Sequence, residues 1–144
     1  MVRLIALFGA SLLAACVSAQ DDALDDGTEP SLKPAGLAAV QRLEITQNAA
    51  RAKGPESDQA DCSGFVVDEA AVRRFFDKTQ AVEADDYWHT LDWSPCYASG
   101  KVEFVDGSKA VWSLHQLQAG SVVFEDGRET YLYCPECRWK PFVW

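Results

Sequence analysis

The chain has 144 residues, with 13 Lys and Arg against 22 Asp and Glu and a formal net charge of −9. That balance disfavours nucleic acid and anionic surfaces as partners, because both are held by clustered basic side chains. No cofactor motif is present and no cofactor is expected.

The first element is an export signal over residues 1–15. Arg3 precedes an apolar run from Leu4 to Ala15, too short for the roughly 20 residues a membrane-spanning helix needs and of the right length for a cleaved signal. The run ends in Leu13-Ala14-Ala15-Cys16, which resembles the lipobox of bacterial lipoproteins. The resemblance covers the signal alone and implies that Cys16 becomes the lipidated first residue of the mature chain, attached to a membrane through its acyl chains. In that family the residue after the cysteine influences sorting, and Val17 in place of an aspartate implies the periplasmic face of the outer membrane. A competing cut after Val17-Ser18-Ala19 would give a soluble periplasmic or secreted protein instead.

Residues 16–60 read as a flexible acidic tether. Gln20 to Ala60 holds Asp21, Asp22, Asp25, Asp26 and Glu29, three prolines and no aromatic residue, so it has little to bury against the entropy of ordering. Leu37, Val40 and Leu43 suggest at most a short helix. The acidic start does not make a calcium loop, since Leu24 and Lys33 fall where an EF-hand beginning at Asp22 requires oxygen ligands.

Residues 61–144 carry the signals of a compact α+β domain. Phe65-Val66-Val67 is a short strand candidate, and Asp68 can cap a helix through about Val82 whose apolar stripe is Val72, Phe75, Phe76, Thr79 and Val82. Four strand runs follow, from Val102, Ala110, Val122 and Thr130. Two of the connections are Asp-Gly turns and Gly120 marks the third. The expectation is a short strand and a helix packed on a four-stranded antiparallel meander. Trp112, Leu114 and Leu132 should face the helix, with Ser113, His115, Tyr131 and Tyr133 on a partly wet face.

If Cys16 is acylated or discarded, Cys62, Cys96, Cys134 and Cys137 remain, an even set for two disulfides in an oxidising compartment. Three pairings are open, and Cys62–Cys96 with Cys134–Cys137 is preferred. Cys134-Pro135-Glu136-Cys137 has the C-x-x-C spacing of redox sites, but Pro141 leaves no room for the helix that would activate its thiol. Zinc would require two close cysteine pairs, and only one exists, so no metal site is expected.

Chemistry-bearing residues concentrate between Asp86 and Cys96. Tyr87, Trp88, His89, Asp92 and Trp93 lie there without clear helical or strand period, as a recognition loop would. No catalytic set stands out. The leading expectation is an exported, lipid-anchored binding or inhibitor-type module for another protein or a cell-wall component. The alternatives are an envelope hydrolase using His89 with Asp86 or Asp92, and a purely structural lipoprotein.

Overall fold

The computed structural model describes residues 29–143. The signal, Cys16 and the start of the tether lie outside the described residues. The elements run in the order β1 (Leu32–Pro34), β2 (Val40–Arg51), α1 (Glu69–Lys78), β3 (Gln80–Val82), α2 (Ala84–His89), β4 (Cys96–Phe104), β5 (Lys109–His115), β6 (Ala119–Phe124) and β7 (Glu129–Tyr133). All seven strands form one antiparallel sheet in the order β1-β3-β7-β6-β5-β4-β2.

This overturns the α+β reading built on a four-stranded meander. The four expected strands occupy the middle of the sheet, but β3 and β1 extend it on one side and β2 on the other. Two of the added strands come from the segment read as tether. β2 has no aromatic residue and half-buries only Val40, Leu43, Ile45, Ala49 and Ala50, so its place rests on its backbone ladder with β4 more than on burial.

α1 starts where Asp68 predicts. The Asp68 carboxylate accepts from the Ala71 amide at 2.7 Å, and Val72, Phe75 and Phe76 are buried. The helix stops four residues before the expected end. Thr79 closes it by donating its amide to the Phe75 carbonyl at 2.8 Å, and Gln80–Val82 pair with β7 as a strand. Phe65-Val66-Val67 forms no strand, although Phe65 and Val67 are buried.

One face of the sheet makes the core. Val102 and Phe104 of β4, Trp112 and Leu114 of β5, Val122 of β6 and Leu132 of β7 are buried together with the α1 stripe. Phe142, near the chain's end, bridges these layers, 5.4 Å from Phe75 and 5.7 Å from Phe65 between ring centroids. Cys62–Cys96 and Cys134–Cys137 are disulfide-bonded, and all four cysteines are buried in the same core. Each bridge therefore pins a segment outside the sheet to a strand end.

The turns at Asp106-Gly107 and Asp126-Gly127 repeat one design. Each glycine takes a positive φ, +84° and +86°, and each aspartate accepts from the amide two residues on, Ser108 at 2.9 Å and Arg128 at 3.0 Å. The third connection departs from expectation. Its positive φ of 65° belongs to Gln118, and Gly120 lies within β6.

Both sheet edges are blunted. β1 has three residues. On long β2, Arg73 of α1 donates to the carbonyls of Val40 at 2.9 Å and Gln41 at 3.4 Å. Further along, the Asn48 side chain both accepts from and donates to the Val67 backbone. Arg73 thus occupies two β2 carbonyls, and Asn48 ties the segment before α1 to the strand, which leaves less free edge for another chain to pair with.

Candidate functional site

The face of the sheet opposite the core carries exposed side chains, Val111 and Val123 among them. Cross-strand registers lay it out in rows, since directly paired residues share a face. The middle row is Gln47, Ser99, Ser113, Ser121 and Tyr131. The Gln47 side-chain oxygen accepts from the hydroxyls of Ser99 at 2.9 Å and Tyr97 at 3.2 Å. Toward the Asp-Gly turns, exposed Val111 and Val123 pair with each other. They line a groove of about 500 Å³ with Arg42, Glu44, Lys101 and Glu103. Its charges alternate in sign, so no single class of ligand is favoured there.

The other end of this face is aromatic. The segment from Asp86 to Cys96, expected as an irregular loop, begins instead within the short helix α2, Ala84–His89. Asp86 anchors it to the start of the sheet by accepting from the Ser31 amide at 2.9 Å, and Thr90 Oγ1 donates to the same carboxylate at 3.3 Å. An ion pair between Lys33 and Glu83 adds a second tie at the sheet's edge. α2 thereby sets Tyr87 against Tyr131 of β7, with ring centroids 4.6 Å apart. Trp88 packs across both, at 88° to Tyr87 and 75° to Tyr131.

Two of these side chains have distinct environments. The Tyr87 phenol is pushed up to about 12, first by burial, then by the Glu129 carboxylate and by Tyr131. Trp88 remains 59% exposed although two tyrosines hold it, and Trp93 is 54% exposed. The contrast is Trp112, fully buried in the core. Trp93 lies in the segment joining α2 to β4, whose end is fixed by the Ala52 amide on the Pro95 carbonyl at 2.8 Å and by the Cys96 amide on Ser94 Oγ at 3.1 Å.

The structure thus joins Tyr87 with Trp88 and adds Tyr131 and Glu129, which sequence reasoning did not single out. The signal for Tyr131 was present in its alternation with buried Leu132. What no pattern within residues 86–96 could show is that β7 would lie under α2.

The alternative hydrolytic reading pairs His89 with Asp86 or Asp92. His89 Nε2 lies 3.7 Å from Asp85 one helical turn back. Asp86 is occupied by Ser31 and Thr90, and Asp92 is exposed. His115, expected on the wet face, is 7% exposed. Its Nδ1 accepts from the Leu117 amide at 3.3 Å, and its ring lies 6.5 Å from Tyr87, so the aromatic end of the open face is where it is enclosed. Burial pulls its pKa down to about 4 and keeps it neutral.

Among the described residues, no helix is long and apolar enough to cross a membrane. The four thiols that zinc would have needed are consumed in the two disulfides. Comparison of the chain with models of known families, with curated proteins and with solved structures finds no match.

Proposed function

We propose that this protein is an exported recognition module, lipid-anchored through Cys16 at the periplasmic face of the outer membrane, that binds another envelope protein through the aromatic end of its open sheet face. The observation that carries this reading is the exposure of Trp88 and Trp93, 59% and 54%, on a helix and segment fastened to the sheet. Leaving two indoles in water forgoes several kcal/mol of burial free energy. A partner that covered them would recover it, and the ordering cost of the loop is already met by its ties to Ser31, Tyr131 and Ala52. The disulfides are consistent with an oxidising compartment. An inhibitor-type role fits the same geometry, because a rigid aromatic projection can fill a partner's cleft.

Affinity capture from envelope extracts tests the reading, with the full exported chain as bait beside its Trp88→Ala/Trp93→Ala variant. One stoichiometric protein retained by the wild type and lost by the variant, at unchanged melting temperature, supports it; equal retention by both overturns it. Metabolic labelling with a fatty acid on wild type and Cys16→Ala tests the anchor, and absence of label on the wild type excludes it.

A further inference from the structure

We propose that the Tyr87–Trp88–Tyr131 cluster, with the Glu129 carboxylate beside it, is a binding site for a cationic side chain, an arginine or lysine presented by a basic protein partner. The inference rests on the recognition reading above and adds to it the chemistry of what is recognised.

Three observations converge on it. The first is the shape of the cluster. Tyr87 and Tyr131 lie 4.6 Å apart at 30°, and Trp88 stands nearly perpendicular to them at 5.1 and 5.9 Å, so the rings form a corner whose indole wall is mostly in water. Aromatic ring faces attract cations within about 6 Å of the centroid, and the Trp88 indole is the ring of the three most open to one.

The second is the placement of negative charge. Glu129 Oε2 accepts from the Tyr131 hydroxyl at 3.0 Å, which holds the carboxylate at the tip of one wall. Among the described residues no basic side chain lies within 4 Å of it. Its neighbour Arg128 pairs with Asp126 at 2.8 Å instead. Asp85, Asp86 and Asp92 on the adjoining helix and loop have no Lys or Arg among them from residue 83 to residue 96, and the whole chain carries −9. A cation entering the corner meets attraction at short and long range alike.

The third is an internal precedent. The chain already uses this contact within its own fold, where the Arg74 guanidinium sits 3.9 Å over the Trp139 ring. Among the described residues, the Tyr87–Trp88–Tyr131 corner has the rings and the carboxylate without a cation over them.

The test uses the full exported chain labelled with ¹⁵N at its five tryptophans, titrated with capped hexa-arginine and, separately, with capped hexa-glutamate. The expected result is a saturable shift of the Trp88 indole resonance with hexa-arginine, a stationary Trp112 resonance, and no shift with hexa-glutamate. Glu129→Gln should weaken the titration about five- to tenfold, and Trp88→Ala should remove it. Glu103→Gln, at the far end of the same face, should leave it unchanged. An unmoved Trp88 resonance overturns the proposal, and so does equal weakening by Glu129→Gln and Glu103→Gln, which would mean general attraction to an acidic surface. A captured partner that depends on Trp93 but not on Trp88 or Glu129 leaves the recognition reading standing and removes this one.

Discussion

The carbonyl oxygen of Glu44 on β2 occupies the place that a β-carbon on Gly100 of β4 would need, and Trp112 Cζ2 lies 2.8 Å from that same point. The edge strand closes onto the sheet only because position 100 has no side chain. Gly100→Ala must displace either the β2 backbone or the largest buried side chain, and neither can give by a rotamer change. The expected loss is about 2–4 kcal/mol in chemical denaturation. Gly64→Ala, where nothing lies within 4 Å of the added carbon, should change stability little. A neutral Gly100→Ala would mean that β2 is not seated as described.

The same pair explains what was legible in the sequence. The middle of the sheet was readable because Trp112 and Leu114 alternate with polar neighbours and Asp-Gly turns bound the runs. α1 was readable because its three buried residues fall at helical spacing after a good cap. β2 was not, for its Leu43 and Ile45 alternate over too short a stretch to stand out, and Leu37, Val40 and Leu43 offer a helical spacing that competes. What holds β2 is its backbone ladder with β4, the glycine of that strand that lets it close, the Arg73 guanidinium and the Asn48 side chain, none of which leaves a periodic mark. α2 spans six residues, under two turns, so it could not establish a period. The aromatic residues of the site were visible as residue types; their arrangement depends on β7 passing beneath them.

The two disulfides should contribute unequally. Cys62–Cys96 spans 34 residues and Cys134–Cys137 spans 3, and the loop entropy removed from the unfolded chain grows with the length closed. On the chain-entropy account the first is worth about 4 kcal/mol and the second about 2. Paired alanine replacement at each bridge, followed by urea denaturation, measures the difference. The longer bridge also ties the segment before α1 to the start of β4, so its loss should expose the Phe65 region to proteolysis first. Equal losses at the two bridges would show that local packing around the cysteines, not loop closure, sets their worth.

Core and surface tryptophans should separate by their effect on folding. Trp112→Ala empties a fully buried site next to Gly100 and should cost about 3–5 kcal/mol. Trp88→Ala removes a ring already more than half in water and leaves the Tyr87–Tyr131 contact in place, so a loss of about 1 kcal/mol or less is expected. Thermal denaturation of the two variants checks this. A large loss at Trp88 would mark it as a clamp holding α2 on the sheet and would remove the argument that its exposure serves binding.

Stability should fall as the medium turns acid because of His115. Its pKa is 6.5 in the ordinary state and about 4 in the fold, lowered by burial. Between these values the unfolded chain binds a proton that the folded chain refuses, so the contribution is present in full above about pH 6.5 and is lost as pH falls toward 4. The gap corresponds to about 3 kcal/mol. Asp61, Asp106 and Asp126, whose pKa values are lowered chiefly by hydrogen bonds from Ser63, Ser108 and Arg128, act in the same direction at lower pH, below the ordinary carboxylate value of 3.8. His115→Gln keeps a side-chain acceptor for the Leu117 amide and has no proton to take up. Urea denaturation from pH 7 to pH 4.5 should show a falling stability in the wild type and a nearly flat one in the variant, whatever the variant's absolute stability. Parallel slopes would place His115 in water rather than between the sheet and Tyr87.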